Sequence, residues 1–439
     1  MGNTAGILLT ISTFVGITGC TAMRQFLLSD YGVPLTDYQA QNGRYFPAFV
    51  HKVFPSSRQY EQDYPTIAEA RAGIKMISVR QLNDRPGYQN EANLSWSADG
   101  AYLSFESVQG SRRRIMVKDL AGNYSRSLLK LPASKNTFLN GLLPRSIHSY
   151  NAGLSWSRDS TRYAFMSNGG TGNYNIYVGA VGTRENPVSK SPSKDGYATW
   201  SPVKNEIAFV SGRSGNGDIY LLNLDSRQLT RLSRTAAVDL FPEWSPDGQS
   251  VIWSSEGARG HHLMMATRTS GRWLPPAQLT RWHHDDLRPT VSPDGRYVAF
   301  YSNSGRVVSG RARWNIHVIP IRSKPWTRAE LPRMLVARDV VVDLNTGPAW
   351  SPDSKRLFYV KKDPVNFNPI YGYDLFTGRR YALKTNTRMN RDILISRLGV
   401  LSFRAQVGAW DKVFVALTNQ GLQLQGERRH PGSIHYLSL

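Results

Sequence analysis

Residues 242–256 read PEWSPDGQSVIWSSE. Short aromatic and aliphatic runs, alternating with polar residues, flank a Ser-Pro-Asp-Gly element, which is the pattern of two antiparallel strands joined by a tight turn. Pro246 fixes φ, Asp247 bonds its own backbone and Gly248 supplies positive φ. Asp-Gly between apolar runs is itself a hairpin signal. The phrase recurs as LSWSADGAYLSFES from Leu94, LSWSRDSTRYAFMSN from Leu154 and ATWSPVKNEIAFVSG from Ala198. It returns as PTVSPDGRYVAFYSN from Pro289 and PAWSPDSKRLFYVKK from Pro348. The place of Trp244 is taken by Trp96, Trp156, Trp200, Val291 and Trp350. Each copy is followed by a second apolar run and a turn, as in DIYLLNLDSRQ from Asp218. A seventh unit, DILISRLGVLSFRAQ from Asp392 and then KVFVALTNQG from Lys412, keeps the strand order without Trp or Pro-Asp.

No single unit of this kind can bury its own apolar face, whereas units stacked in a ring share one core. The expected fold is therefore an all-β β-propeller with four-stranded antiparallel blades, seven being favoured over six. The segment KMISVRQLN at 75–83 reads as a lone outer strand that completes the last blade and closes the ring. The WSPDG…IAF…IY…DL pattern resembles the WD-like repeat of TolB-type propellers over residues 74–439. That resemblance implies binding of a partner or peptide at the channel mouth. TolB carries an α/β domain ahead of its propeller, and residues 21–73 are too few for one. Residues 20–73 are expected to be a tether.

The chain has 439 residues, of which 40% are hydrophobic and 20% charged, enough for a large core. Its formal charge of +22 favours anionic partners. The Lys and Arg are scattered, with Arg112-Arg113-Arg114 the densest run, so nucleic acid is not expected. Cys20 is the single cysteine, which excludes an intramolecular disulfide. Residues 5–19 are small and apolar and suit a signal-peptide core, giving a leader over 1–19. The stretch ends Ile17-Thr18-Gly19-Cys20, which resembles the bacterial lipobox and implies acylation of Cys20. A membrane-anchored periplasmic lipoprotein of the bacterial envelope is the expected setting.

Five residues ahead of each Trp position stand Glu91, Asn151, Asp195, Asp239, Asp286, Asn345 and Asn390, all acidic or amide. They are expected in the loops that lead into the innermost strands, ringing one mouth of the channel. Such side chains receive an amine, a basic segment or a cation; they also cap their own turns. His283-His284-Asp285-Asp286 with His261-His262 is the nearest approach to a metal set, but adjacent histidines in a strand point to opposite faces. No G-x-S-x-G elbow, phosphate loop, dinucleotide fingerprint or C-x-x-C occurs. The expectation is a non-catalytic scaffold without cofactor that binds a protein partner. The alternatives are a glycan or anionic-polymer binder and, behind it, a metal-dependent hydrolase working in the channel.

Overall fold

The Ser-Pro-Asp-Gly turn closes by side-chain bonds. Ser245 Oγ donates to Asp247 Oδ1 at 2.5 Å, and the Gln249 N–H donates to the same oxygen at 3.0 Å. The Ser250 N–H returns to Ser245 Oγ at 2.8 Å, and Gly248 takes φ +65°. The same Ser–Asp bond forms at Ser97–Asp99, Ser157–Asp159, Ser292–Asp294 and Ser351–Asp353. Each turn thus fixes the pairing of the two strands that it joins.

The protein's structure, a computed structural model, describes residues 76–82, 90–109, 112–119, 125–127, 151–168, 173–180, 183, 185–281, 284–303, 313–321, 326–327, 335–363, 365, 367–383 and 385–418. The expected leader, tether and Cys20 lie outside these residues, as does His283. Seven four-stranded antiparallel units form the ring, with blade 4 gaining a short fifth strand. Their inner strands are Asn90–Trp96, Asn151–Trp156, Asp195–Trp200, Asp239–Trp244, Asp286–Val291, Ala349–Trp350 and Arg388–Ile395, numbered here as blades 1 to 7. Each inner strand touches the next, and blade 7 touches blade 1, so the circle is complete. Blade 7 takes its outer strand, Met76–Gln81, from the other end of the chain, paired with Trp410–Thr418. The seventh unit and the closing strand read from the sequence are both present.

The second strand of every blade carries a buried aromatic: Phe105, Phe165, Phe209, Trp253, Phe300, Tyr359 and Phe403. These rings fill the space between neighbouring sheets, where truncating one to alanine costs about 3–5 kcal/mol. The repeated tryptophans add bolts between blades. Trp96 Nε1–H donates to Ser402 Oγ at 2.9 Å, Trp244 to the Thr199 carbonyl at 3.2 Å and Trp350 to the Thr290 carbonyl at 3.1 Å. An ion pair does the same lower in the seam. Arg268 of blade 4 meets Glu206 of blade 3 at 2.9 Å and packs over Trp273.

Candidate functional site

Six of the seven ring residues sit at the starts of the inner strands, and only Asn345 stands in a loop ahead of its strand. Asn151, Asp195, Asp239 and Asp286 are first in their strands, Glu91 is second and Asn390 third. All six are buried, and Asn345 is half-buried ahead of the short inner strand of blade 6. A hydroxyl on the connection from the preceding blade meets three of the carboxylates. Thr280 Oγ1 donates to Asp286 Oδ2 at 2.8 Å and accepts the Leu263 N–H at 2.9 Å. Ser233 accepts the Ile219 N–H and bonds Asp239; Ser189 accepts the Ile176 N–H and bonds Asp195. Each hydroxyl ties the third strand of one blade to the ring residue of the next.

The remaining members are wired by other means. Glu91 Oε2 accepts the Val413 N–H at 2.7 Å, joining blade 1 to blade 7. Asn390 Oδ1 accepts from Thr387 Oγ1 at 2.6 Å, and its amide donates to the Asn368 carbonyl at 3.0 Å. Arg213 donates to Asp195 at 3.1 Å. Burial raises the Asp195 carboxyl and pushes Asp239 up to about 6, against the bonds from neighbouring hydroxyls that pull it down. His261 Nδ1 lies 2.9 Å from Asp285 Oδ1, joining blades 4 and 5. Among the described residues, no three His, Cys, Asp or Glu side chains converge as a metal set.

A second register, two residues further on, carries the lumen. Asn93, Gly153, Tyr197, Phe241, Arg288, Gly347 and Asp392 all have positive φ, between +49° and +72°. In six of the blades the ladder slips there, between Ala92 and Ser95 in blade 1 and between Leu287 and Thr290 in blade 5, for example. This is a β-bulge, which bends the strand and re-aims a side chain. Opposite the bulge, straight after the buried aromatic of the second strand, stand Glu106, Met166, Val210, Ser254, Tyr301, Val360 and Arg404.

Long polar members of these two sets meet across blades and so converge on the axis. Glu106 of blade 1 accepts from Asn93 Nδ2 and from the Gly153 N–H of blade 2, both at 2.7 Å, and pairs with Arg113. Burial pushes its carboxyl up to about 8, against those bonds and the field of Arg404. In blade 7, Arg404 Nε lies 2.6 Å from Asp392 and its Nη1 3.3 Å from Asp411. Asp392 also hydrogen-bonds Asp343, and burial with that second carboxyl pushes it up to about 8 despite Arg404. Tyr301 of blade 5 completes the group beside Asp343, its hydroxyl driven upward by burial.

The opposite side of the lumen is less filled. Gly153 is exposed in the middle of an inner strand, and a Cβ there would meet nothing within 4 Å. Half-buried Tyr197 stands in the next blade, its ring edge-on to Phe241 at 5.1 Å, and burial raises its hydroxyl to about 12. Half-buried Arg288 follows, holding the Asn345 carbonyl at 2.6 Å and lying 3.7 Å from Glu243. Polar side chains thus meet across blades 5, 6, 7 and 1, while open space stands beside Gly153 in blade 2. Reading for acids ahead of each Trp missed these residues; the signal was the variable slot after each second-strand aromatic, where Glu106, Tyr301 and Arg404 interrupt Met, Val and Ser.

Seven four-stranded units closed around an asymmetric polar centre define a seven-bladed β-propeller. Comparison with known proteins narrows it. The family model of the TolB beta propeller domain matches residues 146–313. The Tol-Pal system protein TolB of Francisella tularensis subsp. mediasiatica is 26% identical over 269 residues, which is 59% of this chain and 55% of that relative. The chain thus spans about half the length of that curated relative. An uncharacterized protein of Agrobacterium fabrum is 25% identical over 317 residues, covering 67% of this chain and 94% of the relative. Among solved structures, an oligogalacturonate lyase in complex with manganese superposes with TM-score 0.55 at 12% identity, over 79% of this chain and 96% of that one, a likeness of fold alone. The chain carries a TolB-like β-propeller.

Proposed function

We propose that this chain is a non-catalytic scaffold of the bacterial cell envelope that holds a segment of a protein partner in the channel, on the ring-residue face. The observation that carries this reading is Gly153, exposed on an inner strand with open space where a side chain would stand, which we take as a recess between the polar cluster and the Tyr197–Phe241 edge. A recess lined by a few polar groups and an aromatic edge suits an inserted side chain more than a reacting centre. The match to a Tol-Pal system protein supports the envelope setting. In this reading residues 1–19 direct export, an acyl group on Cys20 anchors the chain, and the seven ring residues act in binding by fixing the inner strands that shape the mouth.

Gly153→Asn tests it. Asn tolerates φ +64° better than other side chains, and its Cβ meets no atom within 4 Å. Affinity capture from crosslinked envelopes is expected to return a protein partner with the wild type and to lose it with Gly153→Asn at unchanged melting temperature. A partner held equally by both overturns the recess as the site.

A further inference from the structure

Strand direction puts the turns between first and second strands and the hairpins between third and outer strands on one face, opposite the ring residues. Five of the exposed large apolar side chains among the described residues lie on that face. Val203 and Leu398 lean on the neighbouring turn glycines, Gly248 and Gly100, and serve packing. The other three lie at the ends of the outer hairpins: Leu229, first in the outer strand of blade 3, is 39% exposed, Leu274, just past that of blade 4, 49%, and Phe376, in the turn of blade 6, 67%. Each has an exposed arginine two or three residues away in the chain, respectively Arg227, Arg272 and Arg379. They belong to blades 3, 4 and 6. The adjoining turns add exposed Arg158, Lys204 and Arg397. The turns also expose carboxylates, among them Asp159 and Asp247, which accept bonds from their own serines and backbone, and Asp225; in the three hairpins that carry the apolar tips the exposed charged residues are Asp225 against Arg227, Arg272, Arg379 and Arg380, so the balance there is cationic.

A protein partner is normally met by a contiguous apolar centre with a polar rim. Separate apolar tips, each flanked by a guanidinium, instead match a headgroup layer: the tip enters the acyl boundary while the arginine takes a phosphate. The charge of +22 on the whole chain adds long-range attraction to an anionic surface. We propose that this face docks on an anionic lipid surface through Leu229, Leu274 and Phe376 with Arg227, Arg272 and Arg379. The channel mouth then points away from the bilayer, toward the compartment where a partner segment arrives.

Vesicle sedimentation tests the docking with the full chain carrying Cys20→Ser, so that no acyl group contributes. Binding is expected to phosphatidylcholine vesicles that contain phosphatidylglycerol, to weaken as salt rises, and to be lost without the anionic lipid. Arg227→Ala, Arg272→Ala and Arg379→Ala are each expected to weaken it about fivefold, and Phe376→Ser to weaken it at unchanged circular dichroism. Equal binding to both vesicle types overturns the proposal. So does binding that ignores all four substitutions, the result expected if the apolar stretch 5–19 inserts or if this face serves a protein.

Discussion

Asp392→Asn probes the polar cluster directly. Asp392 lies 2.6 Å from Arg404 and hydrogen-bonds Asp343, all three fully enclosed. Its carboxyl is raised from 3.8 to about 8, burial being the largest cause, with Arg404 opposing and Asp343 adding to the rise. For a group raised on folding, the stability it contributes is fully present below the unfolded value and is lost as pH climbs through the folded one. Between pH 5 and 8 the unfolded chain has already released this proton while the folded chain keeps it. Stability therefore falls by up to about 1.4 kcal/mol per pH unit through this residue alone. Asn keeps the shape and carries no proton to lose. At pH 5 the substitution is expected to cost about 1 kcal/mol, the worth of a bond weakened. By pH 8 it is expected to have gained about 2–4 kcal/mol on the wild type, and the two curves cross. Urea unfolding at matched ionic strength over this range reads the difference. A difference that stays flat, or one that moves against the Asn variant as pH rises, would refute the reasoning, because Asp392 would then be an ordinary ionised partner of Arg404.

Thr280→Val removes the hydroxyl that joins Leu263 to Asp286, taking the acceptor from the buried Leu263 N–H and one donor from the Asp286 carboxylate; a loss of about 1–3 kcal/mol is expected in chemical denaturation. Arg268→Met strands the Glu206 carboxylate and forfeits the Trp273 face, at about 3–5 kcal/mol, and adding Glu206→Gln should restore most of it; a double variant as unstable as the single one would show that packing, not charge, dominates that seam.

The ring was legible because its parts are local. A Ser-Pro-Asp-Gly turn writes its own bonds, and the alternation beside it decides which side chains face the neighbouring sheets. Even the decayed seventh unit kept Phe403 in the aromatic slot and Ser396 at the turn, where Ser396 Oγ accepts the Val400 N–H at 3.0 Å. The closing strand at 76–81 was legible because the C-terminal unit was short of one strand. The site was less legible. Acids at a fixed register read equally as a binding ring or as supports, and what surrounds Asp286 depends on Thr280, a residue of the connection leaving the previous blade. The bulges were hidden because unlike residues, from Gly153 to Phe241 and Arg288, all adopt the left-handed conformation; tertiary packing, not residue type, imposes it. Asp343 was hidden because blade 6 breaks the repeat there: its carboxylate turns back to the Asn345 N–H at 2.9 Å and its backbone replaces the first half of an inner strand.

The strand Met76–Gln81 also makes the circle a mechanical object. It is held in blade 7 by pairing that runs from Met76 opposite Thr418 to Gln81 opposite Phe414, while every other blade is sewn in by continuous chain on both sides. A pull delivered from residues upstream of Met76 falls on this one seam before it reaches any blade core. Tension from the side of the chain that is expected to hold it to a membrane would thus peel the last blade first and slacken Arg404, Asp392 and Asp411, which belong to that blade and to its polar cluster. Under load, the place where the ring is fastened and the place where its polar side chains gather are the same place.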